Sequence, residues 1–217
     1  MTGAICIWND IAPEGRAEFY DWHLNEHMPE RAAIPGFIRS RRFIATSAAS
    51  QPEFFTLYET ADPSVLTGAE YLARLNAPTE WTRRATQAFR NTSRALTTVL
   101  ARVGPGQGGI VATLRFAARE GAGDALAARL SAAIHALASS PRVAAAALCR
   151  TNETASASKT AESRDRTDIL AAPGWVAIVE GCDEAAARGA MDAIVAAGGE
   201  LFDGPCARGV YRFEFAC

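Results

Sequence analysis

Ten residues near the start of the chain, "WHLNEHMPER" (Trp22 to Arg31), gather two of its three histidines with two glutamates and an arginine. Residue types of this kind support three chemistries: metal binding, proton transfer, or none, the residues then forming a solvated helix face. The inner "HLNEH" fits the H-x-x-E-H pattern of inverted zinc proteases. On a helix His23 and His27 would lie on one face with Glu26 beside them, and a catalytic zinc would need a third protein ligand. No Asp or Glu occurs between Glu80 and Glu120, where a later helix would have to supply it. Pro29, which cannot donate within a helix, follows two residues after the second histidine. No metal is expected, and two readings stay open. Either His23 and Glu26 face solvent while His27 caps the helix, or the proline-broken end aims His27, Glu30 and Arg31 into a pocket. The chain then turns through "IPG" into a strand bearing Arg39, Arg41 and Arg42.

The elements that must position these residues follow from periodicity. The glycines and proline of "VGPGQGGI" (Val103 to Ile110) mark a linker near the midpoint, predicting a first unit over 1–104 and a second over 105–217. In the first, "GAICIWNDI" alternates as a strand and "EGRAEFYDWHLNEHM" reads as a helix. "GFIRSRRFIA" and "EFFTLYET" follow as strands, "SVLTGAEYLARLN" as a helix and "TSRALTTVLARV" as the last strand. The second half repeats the order from "GIVATLRFAA" to "GVYRFEFA". The fold class is therefore α+β, with two β-α-β-β-α-β units of ferredoxin-like type. Each would bury one sheet face under its helices and turn the other toward its partner. The pair should form an intrachain barrel around a pocket.

"WHLNEHMPER" followed by "IPGFIRSRRF" resembles the EthD-like branch of the dimeric α+β barrel superfamily, over roughly Trp22 to Phe43. The resemblance implies ferredoxin-like units paired into barrels and mostly cofactor-free chemistry on small organic molecules, by isomerases, cyclases, decarboxylases and some monooxygenases. With the histidine motif in the first unit only, one site per chain is expected.

Strand alternation suggests which side chains share the pocket. If Ile5, Ile7, Phe55 and Leu57 face the helices, then Cys6, Trp8, Asp10, Phe54, Thr56 and Tyr58 face the barrel, with Phe37, Arg39, Arg41 and Phe43 from the second strand. Such a pocket suits a flat phenolic or anionic molecule. The alternatives are plain core packing for these strand residues and an exposed edge for Arg39 or Arg42. No cofactor is expected, since "GPGQGG" lacks the G-x-G-x-x-G order of a dinucleotide site. His27 is then the candidate general base, oriented by Glu26 or Glu30. Tyr58 would donate to a developing oxyanion and Arg41 would anchor an acid group. His23, Arg31, Arg39, Trp8, Asp10 and Phe54 complete the candidate binding residues. His135 reads as structural. The polar run from Thr151 to Asp168 is too long for a simple hairpin connection and reads equally as a lid or as disorder.

Composition excludes much else. The 217 residues are 49% hydrophobic and 21% charged with a net charge of −2, an ordinary globular balance without the basic field that nucleic acid or anionic lipid requires. Five scattered cysteines (Cys6, Cys149, Cys182, Cys206, Cys217) lack C-x-x-C spacing, fitting a reducing cytoplasm. No leader or membrane-spanning run is expected. Three functional readings follow: an acid/base isomerase, decarboxylase or lyase for a small aromatic or carboxylated metabolite; a non-catalytic ligand-binding or stress-responsive barrel; or a cofactor-independent monooxygenase. Pairing with a second copy is left open.

Overall fold

A computed structural model describes residues 1–164, 166 and 168–217. It has a mixed α+β fold around a closed, eight-stranded antiparallel barrel. Strands β1 (Gly3–Ile11), β2 (Phe37–Ala45), β3 (Phe54–Thr60) and β4 (Phe89–Val103) come from the first half. Strands β5 (Ile110–Phe116), β6 (Val143–Thr151), β8 (Trp175–Gly181) and β9 (Ala207–Ala216) come from the second. Their order is β1-β3-β2-β9-β5-β8-β6-β4, and β4 pairs back with β1. The joints between halves are β2 with β9 and β6 with β4, so one chain closes the barrel. Within each half the chain order of neighbouring strands is the same: fourth, first, third, second. A two-residue strand, β7 (Ile169–Leu170), adds in parallel to β4.

The barrel interior is packed with side chains, contrary to the pocket expected there. Trp8, Phe43, Phe55, Leu57, Val111, Val176, Ile178 and Tyr211 meet along its axis. Phe55 lies 5.2 Å from Trp8 and 5.6 Å from Tyr211, ring to ring. Trp8 Nε1 donates to Thr113 Oγ1 across the halves at 3.2 Å. At one end Arg41 donates to Glu180 (2.7 and 2.9 Å) and to Glu59 (2.9 Å), while Arg39 also donates to Glu59. Two fully desolvated carboxylates leave Arg41 little choice of partner, because an unpaired buried charge costs several kcal/mol.

In the second half, helices α5 (Gly123–Ala136) and α7 (Glu184–Gly198) pack over the outer sheet face. Leu126, Leu130 and Ile134 repeat at i, i+4, i+8 and are fully buried against Leu114, Leu148 and Ala177, as one apolar stripe on a helix demands. The first half is less evenly covered. Its opening helix runs from α1 (Arg16–Trp22) through a π-helical turn (His23–His27) into α2 (Met28–Ala32). The opposite cover is only α3 (Ala69–Asn76), with α4 (Glu80–Ala85) beyond it. Two separate apolar clusters result, one around Phe19, Trp22, Phe54 and Phe89 and one around Ile5, Met28, Tyr58, Tyr71 and Leu75. The connection from β6, beginning with α6 (Glu153–Ala157), crosses this gap.

Candidate functional site

The helix expected to break at Pro29 does not. Proline removes one backbone donor and crowds the carbonyl four residues back, and the wider π turn accommodates this, the Met28 N–H reaching His23 O five residues earlier. Such turns occur mostly as single insertions within α-helices and often at functional sites. Here the wider turn brings side chains four apart close to alignment. His23 and His27 stack with ring centres 5.4 Å apart and planes at 18°. Phe19 extends the stack beyond His23 at 5.0 Å, and Trp22 tilts over His27 at 4.4 Å.

Both imidazoles line a cavity of about 820 Å³ on the outside of the barrel, between the first-half sheet and its helices. This size suits a small organic ligand. Its floor is set by register. Arg42, Thr56, Ile7 and Arg94 are partners in one row across β2, β3, β1 and β4. The next row brings Ser40, Tyr58, Ile5 and Leu96 together. The sequence reading of β3 is thus out of phase by one residue: Phe55 and Leu57 enter the barrel, while Thr56 and Tyr58 face the helices. Antiparallel partners share a face, so the correct assignment of β1, with Cys6 and Trp8 inward, fixes β3 through the pairs Cys6 with Leu57 and Trp8 with Phe55.

The polar run from Thr151 to Asp168 forms the outer wall, two of its residues, 165 and 167, lying outside the described ones. It is tied to the first half along its length. Asn152 N–H donates to Leu96 O (2.8 Å), Leu96 N–H to Ser156 Oγ (3.0 Å) and Glu162 N–H to Leu75 O (3.0 Å). Glu162 also pairs with the buried Arg31. The described residues of this run therefore form a cover over the cavity, supplied by the second half.

Electrostatics decide the protonation states. Burial, aided by the nearby charges of Arg42 and Arg31, holds His23 well below the usual histidine range. Burial with Arg31 and His23 does the same to His27. Both rings are neutral near pH 7. Arg42 Nη1 lies 3.2 Å from His23 Nδ1, and a guanidinium can only donate, so Nδ1 accepts and the His23 proton resides on Nε2. His27 Nδ1 and the Tyr58 hydroxyl are buried without hydrogen-bond partners among the described residues. Burial pushes Tyr58 above the ordinary phenol range, so it stays protonated as a donor. The two rings meet edge-on, 6.5 Å apart.

The remaining candidates are placed elsewhere. Glu26 Oε1 accepts from Trp22 Nε1 (3.2 Å), Thr79 Oγ1 (2.6 Å) and Thr82 Oγ1 (3.1 Å), so it positions Trp22 and touches neither histidine. Glu30 pairs with Arg74 (3.0 Å) and Arg31, away from the rings. Arg39 and Arg41 are committed to Glu59 and Glu180 at the barrel, because the inward face of β2 meets those carboxylates. Trp8 is barrel core. Asp10, at a β1 bulge, clamps a loop by accepting from Glu53 N–H (2.6 Å) and Asn91 Nδ2 (2.8 Å). Phe54 packs on Phe19 and Tyr20 and does not line the cavity. Phe37, past the bulge in β2, lies on the helix side near Tyr71. Missed at the sequence level were Trp22 and Arg94, while Thr56 was expected in the pocket but from the barrel side. Only Arg94 carried a signal, as the charge interrupting an apolar strand.

Among the described residues no group of three or more His, Cys, Asp or Glu side chains is placed to hold a metal, and no helix is long and apolar enough to cross a membrane. No family model matches the chain. No curated protein matches it by sequence. Solved structures do match its fold across nearly the whole length. A proposed monooxygenase from Lactobacillus acidophilus superposes with a TM-score of 0.61 at 8% identity, covering 100% of this chain and 96% of the other. An anthrone oxidase-like protein gives 0.61 at 11% identity, covering 99% and 92%. A proposed chlorite dismutase gives 0.55 at 10% identity, covering 99% and 96%. The chain thus shares the α+β barrel fold of these proteins.

Proposed function

We propose that this protein is a cofactor-independent oxygenase for a flat phenolic or anthrone-like molecule, bound in the cleft between the first-half sheet and the π-turn helix. The observation that carries this reading is the pairing, in the wall of one cleft, of a neutral His27 imidazole with a protonated Tyr58 hydroxyl that has no partner among the described residues. Buried polar groups are almost always satisfied, so a partnerless hydroxyl beside a cavity is explained by a ligand that supplies the acceptor. Trp22, Ile7 and Phe89 provide apolar walls suited to a planar ring.

In this reading His27 removes a proton from an acidic ring C–H or O–H, and Tyr58 donates to the oxyanion that develops. The electron-rich anion then reacts with dioxygen, the co-reactant. For an anthrone the balance is one CH2 plus O2 giving one C=O plus water. His23, its Nδ1 occupied by Arg42, presents its Nε2–H as a second donor, and burial, aided by the charge of Arg31, keeps His27 neutral.

The alternative chemistry, isomerisation, decarboxylation or lyase cleavage, uses the same proton transfer without oxygen, and the fold likeness to monooxygenases favours the oxygenase. Some structures of this fold are described as haem-binding. The two histidines here do not fit an axial ligand. Such a ligand offers Nε2 to iron while Nδ1–H is held by an acceptor, whereas His23 has the opposite tautomer and His27 Nδ1 has no acceptor.

The fold likeness, the shared strand order and the histidine motif also support an EthD-like, dimeric-α+β-barrel affiliation. On this proposal the ferredoxin-like units span 1–104 and 105–217 and work on a small molecule in the cytoplasm. A second copy is not needed to close the barrel, so any homodimer would use another surface. Oxygen uptake with anthrones and hydroxyquinones is the test. His27→Ala should reduce turnover by at least about tenfold, since acid/base groups contribute about 10²-fold or more. Turnover that persists under strict anaerobiosis would overturn the oxygenase in favour of an isomerase or lyase. Binding without consumption would leave only a ligand carrier.

A further inference from the structure

The charge lining the cavity is lopsided. Among the described residues, Arg94, Lys159, Arg164 and Arg166 line it against two carboxylates, Glu153 and Glu162, and Glu162 is already engaged with Arg31. The cations lie toward the β4 and strap end, whereas the histidines lie on the helix wall. Arg94 shares the floor row with Thr56, two strands away, and Tyr58 sits two residues further along β3. At a strand spacing of about 4.8 Å and a rise of about 3.3 Å per residue, the backbones of Tyr58 and Arg94 are roughly 12 Å apart. Arg166 lies with its guanidinium 5.0 Å from the Phe89 ring centre, and its Nε is buried without a partner among the described residues. Asp168 lies near enough to support the Arg166 charge, yet burial still pulls that arginine below its ordinary range. Arg166 Nη2 also donates to Thr92 Oγ1, and the neighbouring charge of Arg94 disfavours the guanidinium, so an anion between the two arginines would relieve both.

We propose that the molecule bound in this cleft carries a carboxylate, its aromatic ring against His27 and Tyr58 and its acid group at the strap end against Arg94 and Arg166. The inference rests on the cleft being a site for a flat aromatic, and adds the class of that aromatic and the residues that select it. Arginine suits the role through paired N–H donors that match the two carboxylate oxygens. Arg41, the anchor expected from sequence, is consumed by the barrel carboxylates and leaves the role to these two.

The test compares two fluorescent probes of one shape, anthracene-2-carboxylate and 2-(hydroxymethyl)anthracene, titrated into the full chain. A charge-assisted pair contributes about 1.5–3 kcal/mol, so the carboxylate should bind about 10- to 100-fold more tightly. Added salt should weaken only the carboxylate. Arg94→Gln and Arg166→Gln should each remove most of the preference while leaving affinity for the alcohol within about threefold, which also verifies that the cleft is folded. Equal binding of the two probes overturns the carboxylate inference and leaves the aromatic cleft standing. Binding of neither overturns both. A preference that survives in both variants overturns the assignment to Arg94 and Arg166.

Discussion

Acidification from about pH 7.5 to pH 5 should destabilise this protein through two side chains. His23 and His27 are buried, and both are held well below the ordinary value of 6.5. In the unfolded chain each takes up a proton as the pH drops through that value, and in the folded chain neither does. The unfolded state then binds more protons, so stability rises with pH across this window and is lost as the pH falls below about 6.5. If neither folded ring protonates by pH 5, each histidine contributes about 2 kcal/mol over the interval, about 4 in total. That is a large share of the roughly 5–15 kcal/mol typical of a domain. The window lies above the ordinary carboxylate range, so glutamates and aspartates add little to it. Urea unfolding at half-unit pH steps, followed by tryptophan fluorescence, measures the slope. The slope should roughly halve in His27→Gln and nearly vanish in His23→Asn/His27→Gln. Parallel curves for the parent and the double variant would refute the buried, neutral pair.

Other consequences are equally direct. For an active substrate, kcat/KM should stay level from pH 8 to 6, because a base held well below 6.5 loses activity only at lower pH; a fall centred near 6.5 would place His27 in water. Arg41→Met should cost about 3–5 kcal/mol by leaving the buried Glu180 without a cation and Glu59 with Arg39 alone, with most of the loss recovered in Arg41→Met/Glu59→Leu/Glu180→Leu and with unchanged anthracene binding. Glu26→Gln should lower stability by about 1–2 kcal/mol through Trp22 and the two threonines without moving the kcat/KM profile. Glu162→Gln should break the tie between Arg31 and the strap, leaving Arg31 with Glu30, and speed tryptic cleavage after Lys159 and Arg164, read by mass spectrometry.

The element order was legible because each strand and helix carries its own period, and the linker at 104–109 is plain from its glycines. The histidine wall was legible too, since spacing four along any helix puts two side chains on one face. What failed was relative phase. Nothing in "EFFTLYET" says whether its odd or even residues face inward, because each set mixes large apolar or aromatic residues with polar ones, and only pairing with β1 decides. That one slip moved Tyr58 and Thr56 to the wrong side of the sheet and placed the cavity inside the barrel. The commitments of Arg39 and Arg41 were equally hidden, since Glu59 and Glu180 are far apart in sequence and meet only when the sheet closes. The effect of Pro29 was misjudged because a π turn is a tertiary accommodation with no local signature.

Closure of the barrel within one polypeptide frees the two halves from identity. In a barrel assembled from two copies, every residue serves twice, and a segment draped over one cleft must drape over the other. Here the second half has given up its own hollow to Leu126, Leu130, Ile134, Met191 and Ile194 and sends its long connection across its neighbour instead. On the proposed function, the strap that walls the cleft and the helix that carries the imidazoles are separate stretches of sequence, one of which can drift toward new ligands while the other stays fixed.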